Sequence, residues 1–459
     1  MIFWIGLRNL RVRALATFLT VWVVALATAI ALVVPLTLRQ LDRGATEAVQ
    51  VFDLLVTAKG SPTQAVLSSL FYLDVPIGNL PYARYRALAD DPRTVRAVPL
   101  GFGDNVRGYP LVGTTAEFFS LRLEQGAAPY FRLRQGEAFA LPFQAVLGAR
   151  VAQAMGLGLG DAFGTTHGHV HIPELEGAAH AHVHPATQRE IREEIRRLQA
   201  QVGEAGDEAQ RLDLRRQLRS ELARLHQDAG VPAGDDWTAG LQHAEEYTVV
   251  GVLEPTGGPV DQAVLVDLES LWLVHGQFDP ASRGVTAILY TAERLSDYYA
   301  VAQEVNASPD AQAVFTGAVF AQLRGFVSQG QAAYAALSLL VLVLAALTIW
   351  LNLYAGALER RRSVALLRTL GASRPLIFTL VLLETALTIG LGLALGVGLS
   401  YGFAALGGSV LGAALGFVLP PPDFEPALVG RVLLLLPLGL LAALIPAYQA
   451  TQESPLDYL

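Results

Sequence analysis

The chain of 459 residues has no cysteine, which excludes disulfide frameworks and thiolate metal sites. Lys59 is the only lysine, so arginine supplies almost all of the positive charge. The sequence also lacks a G-x-x-x-x-G-K-[ST] phosphate loop, a nucleophile elbow and an H-E-x-x-H helix. The net charge is −8 and no basic patch covers a soluble region, which argues against a nucleic-acid partner. We therefore expect a protein that is not an enzyme and cannot hydrolyse ATP by itself.

Charged residues make up only 16% of the chain, and the apolar residues gather in four long runs. About 20 consecutive apolar residues suffice for a helix to span the hydrocarbon core of a bilayer. Arginines precede the first run and separate the second from the third, which places those segments, and both chain ends, in the cytoplasm. The sequence therefore predicts an N-terminal segment with the first transmembrane helix at residues 1–36, further transmembrane helices at 331–357, 375–401 and 427–448, an outer loop at 402–426 and a cytoplasmic tail at 449–459.

The segment between the first and second predicted helices, residues 37–330, contains no run that could span a membrane. It combines strand-like stretches, such as residues 247–253 and 264–268, with short helical stretches and glycine turns. We expect a large α/β domain on the outer side, which is the periplasm if the cell has two membranes. The predicted fold class is an α-helical membrane protein with four transmembrane helices and this extracytoplasmic domain between the first and second.

Residues 165–228 are interpreted as an insertion in the domain, and the insertion opens with a histidine-rich loop. The loop holds six of the nine histidines, in the arrays HGHVH and HAHVH. Imidazole is a strong ligand for zinc, nickel and copper, so the loop predicts a site for zinc or nickel. The alternative is a polar surface loop whose histidines are incidental. The predicted ligands are His167, His169, His171, His180, His182 and His184.

A further histidine, His243, follows the insertion in the sequence. We expect His243 to lie near His167 if the insertion is pinched where it leaves and rejoins the domain. Residues 187–227 are charged and helical, which predicts a helical hairpin that projects from the domain. The hairpin either contacts a partner protein or serves as a solvated spacer. Its second arm has leucines along one face, at Leu214, Leu218, Leu222 and Leu225.

Residues 358–374, LERRRSVALLRTLGASR, lie between the second and third predicted transmembrane helices and carry five arginines. Val364, Leu367 and Leu370 recur at helical spacing, and Gly371 follows as a C-cap. The pattern predicts a short amphipathic helix on the cytoplasmic surface, and the alternative is an ordinary arginine-anchored loop. The next helix has small-xxx-small spacings that permit close helix packing, at Gly390, Gly392, Gly396 and Gly398.

The stretch ERRRSVALLRTLGASRPLIFTLVLLETALTIGLGLALG, residues 359–396, resembles the signature segment of the FtsX/MacB-like ABC transporter permeases. This family includes the lipoprotein-releasing (LolC/LolE-type) and macrolide-exporting systems. RNLRVRALATFLT resembles the first span of the family, and YTVVGVLEPTGGPVD and VDLESLW resemble its extracytoplasmic domain. The tail departs from the family, because Tyr448, Gln449 and Gln452 stand where basic residues are usual.

The resemblance implies a multi-pass subunit in the bacterial inner membrane that pairs with a second copy and with a separate ABC ATPase, through which alone ATP acts. In the family, the basic segment is a coupling helix that docks on the ATPase and passes its motion to the extracytoplasmic domain. The ATPase contacts implied here are Glu359, Arg360, Arg361, Arg362, Val364, Leu367, Arg368, Leu370 and Arg374.

Only the histidines link this machine to zinc or another divalent metal, with a periplasmic metal-binding protein as a possible further partner. Two alternatives remain at this point. One is the permease of a lipoprotein or export machinery. The other is a non-transporting regulator of an extracytoplasmic cell-wall hydrolase.

Overall fold

The structure is a computed structural model, and it describes residues 14–49, 51–123, 126–168, 193, 196–197, 201, 208–228, 242–369, 371–415, 419 and 421–452. The chain divides into two compact units. We call residues 1–43, 324–411 and 419–459 the helical unit, and residues 44–323 with 412–418 the sheet unit.

The helices and strands alternate through the sheet unit and give way to long helices after it. In chain order they are α1 (Ala14–Val49), β1 (Leu54–Ala58), α2 (Pro62–Leu70), β2 (Leu80–Pro81), α3 (Tyr82–Ala89), β3 (Thr94–Val106), β4 (Tyr109–Thr114), β5 (Leu133–Gly136), β6 (Gln144–Leu147), α4 (Ala149–Met155), β7 (Ala162–His167), α5 (Glu208–Asp228), β8 (Gln242–Leu253), β9 (Val264–Asp267), α6 (Leu268–Val274), β10 (Gly284–Val285), β11 (Ala287–Ala292), α7 (Leu295–Asn306), β12 (Ala311–Phe315), α8 (Thr316–Thr369), α9 (Arg374–Leu415), α10 (Pro426–Leu433) and α11 (Leu435–Gln452).

The sheet unit is built on one mixed sheet with the strand order β12-β1-β11-β3-β4-β9-β6-β8-β5, and β7 pairs with both β3 and β8. Most neighbouring strands are antiparallel, but β4 with β9 and β6 with β8 are parallel. Strands β1 and β9 read LLVTA and VLVD, which are nearly continuous apolar runs, as expected for strands covered on both faces. The predicted α/β class of this domain is confirmed.

Strand β3 links the two halves of the sheet, because different parts of its 13 residues pair with different neighbours. Its first half pairs with β11, and its second half pairs with β4 and β7. The register between β3 and β4 shifts between Phe102 and Asn105. Such a bulge bends the strand and redirects the side chains at the kink. Asp104 lies within it.

Helix α6 lies across β3 and β4, and two glycines permit the close approach. A Cβ atom at Gly113 would lie 2.4 Å from Leu271 Cδ1, and one at Gly101 would lie 2.7 Å from Leu268 Cδ1. Because interiors are close-packed, any larger residue would push the helix away from the sheet. This approach fixes the position of His275, which follows α6 directly.

Helix α5, the second arm of the predicted hairpin, packs against the sheet unit. Leu214 and Leu218 are buried in its hydrophobic core, and they belong to the leucine face that the sequence indicates. On the opposite face, Leu212 is exposed. The first arm is described only at residues 193, 196–197 and 201, so the hairpin as a whole lies outside the described residues.

Charged side chains hold α5 against α6. Arg215 donates to Asp267 Oδ2 at 3.1 Å and to Glu269 Oε2 at 3.4 Å. Arg219 Nε donates to Glu269 Oε1 at 3.0 Å. Burial raises the pKa of the Asp267 carboxyl, while the Arg215 charge acts in the opposite direction. The two carboxylates are therefore buried with paired cations beside them, which is the arrangement that makes a buried charge tolerable.

Four helical segments among the described residues are long and apolar enough to cross a membrane, which confirms the predicted number. They are Ala14–Arg43, Ala332–Leu351, Arg374–Gly412 and Pro426–Gln449.

The bounds of these helices differ from the predicted ones in three places. Residues 358–369 of the basic segment continue α8 and do not form a separate helix, and Arg374 already begins α9. Helix α9 continues beyond Tyr401 to Leu415, because the intervening residues contain neither a proline nor a charge. The fourth apolar run divides at Leu434, three residues before Pro437, whose ring and missing N–H disturb the preceding turn.

Glycines bring α9 into contact with α1. A Cβ atom at Gly392 would lie 2.6 Å from Val24 Cβ, and one at Gly396 would lie 2.5 Å from Thr28 Cβ. Gly390 and Gly398 have no atom of the described residues within 4 Å of such a Cβ. Two of the four glycines that the small-xxx-small pattern indicates therefore mediate helix packing.

Candidate metal centre

Four side chains from different parts of the sheet unit converge at the base of the insertion. They are Asp104, His167, His243 and His275, and one potential ligand atom from each lies within 4.8 Å of all the others. Within the residues that the structure describes, no other group of three or more such side chains meets this condition.

The strand register brings three of the four residues together. Asp104 in β3 lies directly opposite His167, the last residue of β7. Thr166 in turn pairs with Gln242 at the start of β8, so His243 is close to His167. His275 arrives from the other side as the C-cap residue of α6.

The ligand atoms are close enough to share one ion. Asp104 Oδ1 lies 3.0 Å from His243 Nε2, 3.3 Å from His167 Nδ1 and 3.4 Å from His275 Nε2. His275 Nε2 also lies 3.2 Å from His167 Nδ1. Zinc bonds of about 2.0–2.1 Å in tetrahedral geometry separate neighbouring ligand atoms by about 3.3–3.4 Å. The four distances fall at or just below this separation.

The protonation of His275 is determined by the helix before it. Its Nδ1 lies 2.7 Å from the carbonyl oxygen of Leu271, which can only accept a hydrogen bond. Nδ1 therefore carries the proton, and the lone pair of the neutral ring lies on Nε2, facing the cluster. A backbone carbonyl that orients an imidazole in this way is the usual partner of a metal-ligating histidine.

Burial and charge both distinguish this cluster from a solvated surface group. The Asp104 side chain is 0% exposed, and those of His275, His167 and His243 are 8%, 14% and 16% exposed. Burial raises the pKa of the Asp104 carboxyl, but the neighbouring imidazoles outweigh it and hold this pKa well below its usual range. Asp104 Oδ2 has no hydrogen-bond partner among the described residues.

The backbone around the cluster is fixed by Asn105. Its Nδ2 donates to the Gly168 carbonyl at 2.7 Å, and the Gly168 amide donates to the Gly103 carbonyl at 2.9 Å. Thr166 Oγ1 donates to Asn105 Oδ1 at 3.1 Å. The residues flanking Asp104 and His167 are therefore bonded to one another on both sides of the cluster.

A cleft of about 330 Å³ opens beside the cluster. His167 and His275 form part of its wall, together with Trp272, Asn79 and Thr286. Two of the four candidate ligands therefore border the cleft. Three imidazole nitrogens and one carboxylate oxygen form a ligand set that suits zinc, and nickel or copper to a lesser degree.

The structure places the histidines of the sequence analysis in two groups. His167 is in the cluster, and the expected proximity of His243 is confirmed by a distance of 5.8 Å between the two ring centroids. His169, His171, His180, His182 and His184 lie outside the described residues.

Sequence reasoning missed Asp104 and His275. Asp104 stands in GFGDN, as a carboxylate within a strand-like stretch, and His275 ends the apolar helix LESLWLVH. An acidic residue inside a buried strand was an available signal, because such a charge needs a partner. The spacing along the chain gave no indication of which partner it meets.

The basic segment is described in part. Val364 is buried, and Arg368 Nη1 lies 3.5 Å from the Thr451 carbonyl. Gly371 has a φ of +93°, which confirms the glycine stop after the helix. Arg374 begins α9 and is exposed. The side chains of Glu359, Arg360, Arg361, Arg362 and Leu367, and the whole of Leu370, lie outside the description.

Comparisons with known proteins give a family match and similarities to solved structures. Residues 335–455 match the FtsX-like permease C-terminal family. Among solved structures, the chain is similar to the periplasmic region of MacB from Actinobacillus actinomycetemcomitans, at 8% identity over 60% of this chain and 95% of that one, with a TM-score of 0.31. It is also similar to the extracellular domain of the noncanonic ABC-type transporter YknZ from Gram-positive bacteria, at 8% identity over 57% and 98%, with a TM-score of 0.28. Curated proteins give no match.

Proposed function

We propose that the chain is the membrane subunit of an ABC transporter of the mechanotransmission type, because residues 335–455 match the FtsX-like permease C-terminal family. It resides in the bacterial inner membrane with both ends in the cytoplasm and acts as a pair of identical chains. A separate ABC ATPase binds residues 358–374. Hydrolysis there moves the membrane helices, and the movement changes the extracytoplasmic domain.

The family match is the observation that carries this proposal, and two features of the chain support it. The sequence has no phosphate loop, so ATP hydrolysis requires another polypeptide. Helix α8 also runs without a break from Thr316, next to β12, to Thr369 in the basic segment. A continuous helix is a suitable element for passing a displacement along its axis.

The test is ATP hydrolysis by the ABC ATPase that co-purifies with the full-length chain, measured with both proteins reconstituted in nanodiscs. We expect Arg361→Glu together with Arg368→Glu to lower the stimulated rate at least tenfold, because two positive charges of the proposed ATPase-binding segment become negative. Arg86→Glu is the matched control, since Arg86 lies in the sheet unit and its side chain is 57% exposed. If the double variant kept the wild-type rate, the proposed coupling role of this segment would be wrong.

The converging histidines favour a version of this function in which the system takes up or handles zinc or another divalent metal. The same ATPase assay separates it from the alternatives. A metal-handling system should change its rate when micromolar zinc replaces a chelator. The permease of a lipoprotein-export machinery, or a regulator of a cell-wall hydrolase, should show the same rate in both conditions.

A further inference from the structure

We propose that Asp104, His167, His243 and His275 bind one divalent transition-metal ion, with Zn²⁺ preferred, and that this ion joins both ends of the insertion to the central sheet. The site depends on the proposed metal-handling function only for its biological use. Binding itself requires neither the ATPase nor the histidines beyond His167 in the loop.

The first argument is the chemistry of the cluster without a cation. Because His275 Nδ1 donates to Leu271, neutral His275 presents a lone pair to the carboxylate oxygen Asp104 Oδ1 at 3.4 Å. Two acceptors at such a distance repel each other unless a positive charge lies between them. A metal ion supplies that charge to all four groups at once, whereas a proton serves one pair at a time.

The second argument is that the site is built by elements distant in sequence. Its ligands come from β3, β7, β8 and the end of α6, and the pairing of these strands places Asp104, His167 and His243 close together. Asp104 is turned by the bulge in β3, and His275 is held by the approach of α6 to the sheet. Incidental surface histidines have no such support, while metal ligands commonly do.

The third argument concerns which ion fits. Four protein ligands at near-tetrahedral separation are typical of zinc, which imposes no d-electron geometry of its own. Magnesium and calcium favour six or more oxygen ligands, so a cluster with three imidazoles excludes them. The free Oδ2 of Asp104 leaves room for the carboxylate to bind through one oxygen or both.

The positions of the ligands indicate a structural role for the bound ion. His167 closes β7 and His243 is the second residue of β8, so the two ligands flank the insertion on either side. His275 follows α6, against which α5 of the insertion is held by Arg215 and Arg219. One ion therefore ties the beginning, the end and the docking surface of the insertion to β3.

The experiment uses the full-length chain in nanodiscs, stripped of metal with a chelator and then titrated with ZnCl₂ against a competing chelator dye. We expect one zinc ion per chain with a submicromolar Kd. His243→Gln and Asp104→Asn should each weaken this binding at least 100-fold. The matched control replaces His169, His171, His180, His182 and His184 with Asn, and it should keep the tight site. Loss of tight binding in the control, with retention in the cluster variants, would overturn the proposal.

A second measurement needs no variant and so is independent of folding defects. Cobalt(II) in a tetrahedral site with nitrogen and oxygen ligands absorbs visible light far more strongly than octahedral cobalt. We expect the wild-type chain to show the strong bands with one equivalent of Co²⁺ and to lose them when Zn²⁺ is added. Weak octahedral bands alone would refute a four-ligand site. Because no ATPase is present, either result leaves the coupling role to be judged separately.

Discussion

Each of the two units is stabilised by a different kind of internal contact. In the sheet unit, the carboxylates of Asp104, Asp267 and Glu269 are buried, and partners from other elements surround them. In the helical unit, α1 and α9 meet through glycines, and Arg39 and Arg43 near the end of α1 pair with acidic residues that follow α9. The helical unit also buries one carboxylate, that of Glu384 within α9, among the residues that the structure describes.

We attribute this difference to the medium around each unit. A domain in water can bury a charge, provided that paired groups and hydrogen bonds compensate for the lost hydration, and the pairing then defines one arrangement. Helices in lipid gain little from apolar contact, so small residues that allow close approach stabilise their packing. We expect removal of a buried charge partner to be most damaging in the sheet unit, and added volume to be most damaging in the helical unit.

Removal of zinc should produce the largest effect on the sheet unit. A ligand at about 1,000 times its Kd stabilises the folded state by about 4 kcal/mol if it does not bind the unfolded chain. We expect the thermal unfolding of the sheet unit, followed by tryptophan fluorescence to which Trp272 beside the cleft contributes, to shift upward with zinc and to return with chelator. An equal shift in His243→Gln would place the stabilising ion elsewhere.

Glu269→Gln tests the second buried charge of the sheet unit. The substitution leaves Arg215 and Arg219 without their shared carboxylate, and loss of one partner from a buried ion pair costs about 3 kcal/mol. We expect tryptic cleavage within α5 to become about 100-fold faster, since 1.4 kcal/mol corresponds to a factor of ten. The control is Glu221→Gln, at a surface pair within α5 itself. Similar cleavage rates in the two variants would show that Glu269 does not hold α5.

Gly396→Ala tests the helical unit and should have the smallest effect. Its new methyl group would lie 2.5 Å from Thr28 Cβ and 2.6 Å from the Ala25 carbonyl oxygen. Overpacking of this kind costs about 1–3 kcal/mol. We expect a lower melting temperature of the helical unit in nanodiscs, while Gly402→Ala on the same helix, where nothing lies within 4 Å, should leave it unchanged. Equal melting of the two variants would exclude glycine-mediated packing.

Parts of this fold are visible in local sequence, and other parts are not. The four apolar helices follow from run length alone, and the glycine stop at Gly371 follows from the end of a helical pattern. The extension of α9 to Leu415 was also accessible, because no proline or charged residue lies between Tyr401 and that point. A division at Tyr401 assumed the thickness of a bilayer, but a helix can extend beyond the lipid.

The residues of the candidate site also divide into those that local sequence indicates and those that it does not. His167 belongs to a dense local array, and the place of His243 follows from the idea that an insertion leaves and rejoins its domain at neighbouring points. Asp104 and His275 required the pairing of β3 with β7 and the packing of α6, which depend on contacts between residues far apart in the chain. Local composition carries no record of such contacts.

The position of His167 and His243 on adjoining strands bears on how this protein can evolve. The histidine tract between His167 and α5 can lengthen, shorten or change composition while His167 and His243 stay in place on their paired strands. Selection on the histidine tract is then decoupled from selection on the sheet. Relatives that have lost the tract but kept these two residues, together with Asp104 and His275, would retain the proposed metal site without the histidine tract.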